Sequence, residues 1–351
     1  MLQIFPKKFL GIDIGTTAIR IVEVNNRRAL ENYGEIYAKD LSAPFIRFEN
    51  NTIILSEDLI AQSIRAVIAE AGIKTKKVFV SLADFSSFFT TFTMPKMSEK
   101  ELEQAVQFEA KKYIPIPLNN VTMDWQIIDE LPPAKEGTLG EYRVLVVAIA
   151  NEIIDQYQRV IAKCGLELMG FEAEVFSLVR ALIGADARIT AIVDFGSQSS
   201  TVTIVENGLI KDSHSLDFSG EKMLARLMKD LSIDRTQAAT LRDNAGITGS
   251  DQKTAGSLLP MMNMAVQEVD RIFREFNRST GKNLQRIIVA GGMVLMPGFA
   301  DFFAKQFSRV APIEMANAFA TVSYKPPLKP VLERMSPAFA IAAGLALKGA
   351  E

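Results

Sequence analysis

The sequence predicts an α/β protein of roughly two domains. Its 351 residues are about twice the usual domain length. Short β-branched runs alternate with amphipathic stretches along the whole chain. One local plan, an apolar strand entering a Gly turn rich in small or hydroxyl residues, recurs at Leu10 to Val24, Ile189 to Val205 and Arg286 to Phe303.

After the first turn, alternation resumes from Ala18 to Val24 with Asn25-Asn26 behind it. After the second it resumes from Thr201 to Val205 with Asn207-Gly208 behind it. Both segments are therefore expected to be β-hairpins. The third continues through Met296-Pro297-Gly298-Phe299 and reads as strand, turn and helix. Leu59, Ile60, Ile64, Val67, Ile68 and Ala71 keep helical spacing until Gly72, with Ser56 as a candidate cap. Val78 to Leu82 and Phe88 to Met94 read as strands. Ser98-Glu99-Lys100-Glu101 is a capping box opening a helix toward Tyr113, and Ile114-Pro115-Ile116-Pro117 stops it. There follow a strand from Asp124 to Asp129, a turn-rich stretch from Leu131 to Gly140, a strand from Tyr142 to Ile149 and a helix from Glu152 to Cys164. The stretch Ser257 to Thr280 sets Met262, Val266, Val269, Phe273 and Phe276 opposite Arg271, Arg274 and Arg278, the pattern of a core helix. The apolar run Ala338 to Leu347 is too short to span a bilayer and predicts a buried helix.

Composition narrows the functional classes. The 39 Lys+Arg against 41 Asp+Glu leave a formal charge of -2, so no bulk field exists to hold nucleic acid or an anionic membrane. A 48% hydrophobic and 23% charged composition belongs to a folded chain. Cys164 is the single cysteine, which excludes an internal disulfide and a Cys-cluster metal site and fits a reducing, intracellular setting. Asp13 interrupts the apolar run after Lys7-Lys8, so the N-terminus makes a poor signal peptide.

The glycine turns carry the chemistry. In Gly11-Ile12-Asp13-Ile14-Gly15-Thr16-Thr17, backbone N–H groups and hydroxyls are offered to phosphate oxygens, and Asp13 can hold Mg²⁺ through water. An Asp before one Gly turn is ordinary turn chemistry. Its repetition in Asp194-Phe195-Gly196-Ser197-Gln198-Ser199 changes the reading, since two such loops face to face would clamp a triphosphate with both aspartates at one metal. Gly291-Gly292-Met293 ends the third strand without side chains at the glycines, so a base or sugar could approach the backbone.

These three loops in this order resemble those of the actin, Hsp70 and sugar-kinase superfamily. The finer resemblance is to the FtsA-related PilM family. It rests on Met94-Pro95-Lys96-Met97-Ser98-Glu99-Lys100-Glu101-Leu102, Tyr113-Ile114-Pro115-Ile116-Pro117 with Asp124, Gly170 to Val175 running into Arg180-Ala181-Leu182, and Ser336-Pro337-Ala338-Phe339 through Leu347. The resemblance implies an actin-like ATPase fold, two RNase H-like halves around a nucleotide cleft. Segments 1–77 and 142–188 would form the first core subdomain and 78–141 an inserted subdomain. Segments 189–220 and 286–351 would form the second core subdomain, with 221–285 beside it.

By the same resemblance, ATP and Mg²⁺ are the implied cofactors. Asp13, Gly15, Thr16, Thr17, Arg20, Asp194, Gly196, Ser197, Ser199, Gly291, Gly292 and Met293 would bind the nucleotide. Arg20 stands where many relatives carry Lys, which keeps the charge and changes the geometry. The implied role is a cytoplasmic scaffold of type IV pilus assembly, held at the inner membrane through protein partners. Chief among these is the N-terminal peptide of PilN, with other pilus proteins and self-association left open. Phe85, Phe88, Phe89 and Phe92 are the candidate peptide contacts, and a subdomain core explains each of them equally well. Glu172 and Glu174 are the candidate water-activating residues, and a solvated helix start is their plain alternative. At most slow turnover is expected. An FtsA-like filament former and a sugar-kinase-like phosphotransferase remain the alternatives. His214 receives no role.

Overall fold

The computed structural model describes residues 6–38, 44–49, 52–133 and 139–351. The first residues of the N-terminal segment and the middle of the turn-rich 131–140 stretch lie outside them. Two five-stranded sheets share one topology. In the first, β1 (Lys8–Ile14), β2 (Ala18–Asn25) and β3 (Leu30–Tyr37) form an antiparallel meander, and β6 (Lys77–Leu82) and β10 (Glu167–Ala173) add in parallel on the other side of β1. In the second, β11 (Thr190–Phe195), β12 (Ser200–Glu206) and β13 (Leu209–Leu216) make the meander. There β14 (Arg286–Ala290) and β15 (Ile313–Met315) supply the parallel strands. Both predicted hairpins are present, Asp13 opposite Arg20 and Asp194 opposite Thr201.

Crossovers follow the same duplication. A short hairpin, β4 (Ile46–Glu49) with β5 (Thr52–Leu55), and helix α1 (Glu57–Glu70) link β3 to β6. Ser56 precedes α1, but its Oγ donates to Pro44 O rather than capping. Helices α5 (Gly220–Leu231), α6 (Arg235–Asn244) and α7 (Gln252–Thr280) link β13 to β14, and α8 (Phe299–Phe307) links β14 to β15. As its arginine-free stripe predicts, α7 buries Met262, Val269, Phe273 and Phe276 in the second core. Asp251 caps it by accepting from Lys253 N and Thr254 N.

Between β6 and helix α3 (Asn151–Lys163) sits the insertion. It comprises β7 (Ser87–Pro95), α2 (Glu99–Ala110), β8 (Val121–Leu131) and β9 (Glu141–Ala150), with β9 central in its three-stranded sheet. The span 78–141 expected for the insertion overlaps these elements. The strand at 77–82 belongs to the first sheet, and the apolar 142–149 run, which reads like a core strand, pairs with β7 and β8. The predicted capping box holds, since Ser98 N–H donates to Glu101 Oε2 at 3.0 Å.

Two helices fill the space between the sheets. Helix α4 (Glu174–Leu182) packs along α9 (Lys329–Lys348), and α9 lies on β1, β2 and β6. The approach is close enough to require glycine: a Cβ on Gly11 would meet Ala342 O at 2.1 Å, and one on Gly344 would meet Ser177 O at 1.9 Å. Strands β14 and β15 join the second sheet with α8 beside them, while α9 lies mainly on the first sheet and also touches β14. The core around these helices draws Val22 and Val24 from one sheet and Ile192, Val205 and Ile288 from the other.

Candidate functional site

The three glycine loops meet at one crevice between the halves. Each hairpin turn closes the same way: Gly15 N–H donates to Ala18 O at 2.9 Å, and Gly196 N–H to Ser199 O at 3.0 Å. The N-terminus of α5 braces the second loop, with Gly220 N–H on Gly196 O at 3.1 Å and Glu221 N–H on Ser197 O at 2.8 Å. Gly291 has φ +91°, and a Cβ there would lie 2.3 Å from Phe195 O and 2.7 Å from Asp194 Oδ1, so the third loop presses its bare backbone on the second. Its N–H donates to Pro337 O on α9 at 2.9 Å, tying the loop to the central helix.

Four carboxyl groups face this crevice. Asp13, 3% exposed at the end of β1, accepts a hydrogen bond from Ser81 Oγ at 3.0 Å, and Arg20 Nη1 lies 3.8 Å from its Oδ2. Burial raises its pKa, and Arg20 and Ser81 partly offset the rise. Asp194 keeps some surface on solvent but is ringed by protein atoms, and that burial together with the charge of Asp13 pushes it up to about 7. Glu174, the first residue of α4, accepts from Asp84 N–H at 3.1 Å; burial and then the charges of Asp84 and Asp13 raise it well above the ordinary carboxyl value. Asp84 follows β6, is 8% exposed, and is pushed up to about 7 by burial and the charge of Asp194, against a hydrogen bond from Val175 N–H. Sequence reasoning missed Asp84. Its signal was position alone, just past a parallel strand that ends beside Asp13.

The remaining candidates divide. Thr16 Oγ1, Ser197 Oγ and Asp84 Oδ1 are buried without a hydrogen-bond partner. Arg20 reaches from β2 across the crevice: its Nε lies 3.5 Å from Glu35 Oε2, its guanidinium sits 5.8 Å from the Phe339 ring, and its Nη2 lies 3.7 Å from where a Gly292 Cβ would be. Gly292 is exposed, whereas the Met293 side chain packs into the second core beside Gly220, so Met293 offers the crevice only its backbone.

Glu172 does not join the site. Two residues before Glu174, it accepts from Arg180 Nη1 at 2.5 Å, Ser177 Oγ at 2.6 Å and Lys348 Nζ at 2.7 Å, clasping β10, α4 and α9 together. Burial raises its pKa, but Arg180, Lys348 and Ser177 outweigh burial and hold it below the usual value. With Arg180 it lines a separate cavity of about 460 Å³ that also touches Gly208 and Glu351. The strand ends at Ala173 and the helix begins at Glu174, which sends the two carboxylates to different places.

The four phenylalanines disperse as well. Phe85 packs against the first-half core, Phe88 and Phe92 against the core of the inserted subdomain, and Phe89 against the core between the halves. Phe92 stacks on Tyr113 with ring centroids 5.5 Å apart. Alternate residues of β7 face opposite sides of its sheet, which sends Phe88 and Phe92 to one core and Phe89 to another. Among the described residues, no helix is long and apolar enough to cross a membrane.

The family model for the Type IV pilus assembly protein PilM matches residues 11–350. The chain belongs to that family. Among solved structures, this PilM family member is similar to a PilM-PilN type IV pilus biogenesis complex, with TM-score 0.83 and 23% identity over 97% of this chain and 98% of that one. It is also similar to the ethanolamine utilization protein EutJ from Carboxydothermus hydrogenoformans, with TM-score 0.59 and 14% identity over 98% of this chain and 90% of that one. MreB 5 of Spiroplasma citri bound to AMPPNP aligns with TM-score 0.50 and 10% identity over 96% of this chain and 94% of that one. The cell division protein FtsA of Streptococcus pneumoniae serotype 2 is 20% identical over 347 residues, 85% of this chain and 73% of FtsA. The expected actin-like fold and PilM kinship both hold, and FtsA is a distant relative.

Proposed function

We propose that this PilM family member binds ATP with Mg²⁺ in the crevice and uses the angle between its halves to govern capture of the N-terminal peptide of PilN. The observation that carries the reading is the meeting of Asp13 and Asp194, from equivalent hairpins of the two sheets, beside the unpartnered hydroxyls of Thr16 and Ser197. Buried polar atoms without partners are rare, and a ligand rich in phosphate oxygens supplies what these lack. Thr16, Thr17, Ser197 and Ser199 would hold phosphates, and the backbone of Gly291 and Gly292 would lie against the sugar or base. Asp13 and Asp194 would hold the hydrated metal, whose charge neutralises phosphate oxygens and the paired aspartates when bound.

Glu174 would orient or accept a proton from a water, with Asp84 N–H holding one of its oxygens. Burial and the neighbouring charges of Asp84 and Asp13 raise its pKa, which favours a carboxyl that holds a proton more tightly than a free one. The peptide would dock at the junction of the first half and the inserted subdomain, where Phe85 ends one core and Phe88 begins the next. The structural likeness to a PilM-PilN complex supports PilN as the partner. Isothermal titration of ATP with and without Mg²⁺ tests the nucleotide site. Saturable, Mg²⁺-dependent binding that is weakened about ten-fold or more in Asp13→Asn is the expected result, and no binding by the unaltered chain overturns the reading.

A further inference from the structure

The inserted subdomain grows out of the first half, between β6 and α3, yet it is also fastened to the second half. The seam joins two β-bulges. On β8 the pairing with β9 steps from Ile127 opposite Val144 to Asp129 opposite Arg143, leaving Ile128 as the extra residue. On β13 the pairing with β12 steps from Asp212 opposite Ile204 to Ile210 opposite Val205, leaving Lys211 as the extra residue. A bulge takes a residue out of the ladder and re-aims it. Here the two re-aimed residues meet, with Lys211 Nζ donating to Ile128 O.

The contact is buried and has supports. Lys211 is 8% exposed and its ammonium lies 3.5 Å from Asp129 Oδ1. The Ile128 side chain is 1% exposed and packs in one apolar cluster with Ile210 and Val205 of the second half and Leu145 and Val147 of the insert. Arg143, the register partner of Asp129, also acts on Asp212 across the seam. A lysine ammonium is strongly hydrated and settles in such a place only when protein oxygens replace its water.

We propose that this bulge-to-bulge clasp makes the inserted subdomain a lever of the hinge, so that a change of angle between the halves repositions the insert. The inference rests on the nucleotide reading above for what drives the hinge, while the clasp itself does not depend on it. A body anchored to both halves cannot stay still when they rotate. It either follows the second half or the Lys211 contact breaks. Because the proposed peptide groove has the insert as one wall, nucleotide and peptide then bias the same equilibrium, and each alters the affinity of the other by one common factor.

The test uses Lys211→Met, which keeps the apolar stem and removes the donors, and Lys211→Arg, which restores a cationic donor. The full chain is followed by amide hydrogen exchange without nucleotide. In Lys211→Met the amides of residues 127–131 should exchange about ten-fold faster or more, with Lys211→Arg returning toward the unaltered rate. Unchanged exchange in Lys211→Met overturns the clasp. Next, the affinity for a synthetic peptide of the PilN N-terminal segment is measured with and without Mg²⁺-ATP. The unaltered chain should show a ratio of about 5-fold or more and Lys211→Met a ratio near one, with affinity for each ligand alone retained. A ratio of one in the unaltered chain with ATP bound, or a full ratio in Lys211→Met, overturns the lever alone. Failure of the unaltered chain to bind ATP overturns the functional reading and the lever together, and the exchange result still decides the clasp.

Discussion

The two halves repeat one sheet topology and one Asp-x-Gly hairpin, but they hold their aspartates differently. In the first half Asp13 is buried, accepts from Ser81 and stands beside Arg20. In the second, Asp194 has no cation of its own strand beside it, and its loop is braced instead by backbone N–H groups at the start of α5. The first half also receives α9, docked through Gly11 and Gly344. One frame is therefore used twice, with a cation beside the aspartate and a central helix in one half and a backbone-braced acidic loop in the other.

Substitutions can break this comparison at several points. The largest effect is expected for Gly344→Ala, whose Cβ would collide with Ser177 O; it should cost about 3 kcal/mol in denaturant unfolding and expose the first-half sheet to exchange. Equal loss of protection in both sheets would show instead that α9 serves the halves alike.

Glu172→Gln should follow, at about 2–3 kcal/mol, because it leaves Arg180 and Lys348 facing each other without the shared carboxylate. It should leave ATP affinity intact. Glu174→Gln should do the reverse, sparing stability and abolishing any turnover, so measuring unfolding and ATP hydrolysis for both variants tests the division between them.

The aspartates themselves should separate by pH. The pKa of Asp194 is raised to about 7 from an unfolded value of about 3.9, so the native state holds the proton more tightly. Between those values the folded form binds more protons than the unfolded one, and this group's contribution makes stability fall as pH rises. Without nucleotide, Asp194→Asn should therefore be more stable than the unaltered chain by about 1 kcal/mol or more at pH 8, with the difference gone by about pH 4. Asp13→Asn should gain less, since it also takes the counter-charge from Arg20. With Mg²⁺ and ATP present, both should lose affinity by about 10- to 100-fold. Thermal melts across pH, with and without ligand, check the pattern.

The smallest effect concerns His214. Its Nε2 lies 2.9 Å from Asp212 Oδ2, and that hydrogen bond raises its pKa. The pair stabilises fully below about pH 6.5 and its contribution fades as pH rises through the folded-state pKa. With both side chains about a third exposed, the loss should be roughly 0.5 kcal/mol. His214→Gln should flatten that slope and nothing else, measured by denaturant unfolding across pH.

Much of this site was legible from sequence. The Asp13 and Asp194 turns, the capping box at Ser98 and the α7 stripe rest on short-range patterns, and each was found where it was read. The rest depended on what lies across space. Glu172 and Glu174 look alike two positions apart, and only the end of β10 at Ala173 sends one to Arg180 and the other to the crevice. Asp84 belongs to no motif and becomes notable because β6 ends beside Asp13. The phenylalanines of β7 look like one patch along the chain, and pleating separates Phe88 and Phe92 from Phe89.

By itself, then, the sequence determined the turns, the strand and helix types and the duplicated loop, because these follow from dihedral preference and side-chain period within a few residues. The tertiary structure decided which half owns α9, where the insertion begins, which carboxylates share a crevice and that two bulges meet at Lys211. Those are matters of burial and charge between residues far apart in the chain, and no local pattern encodes which distant surface will desolvate a given side chain.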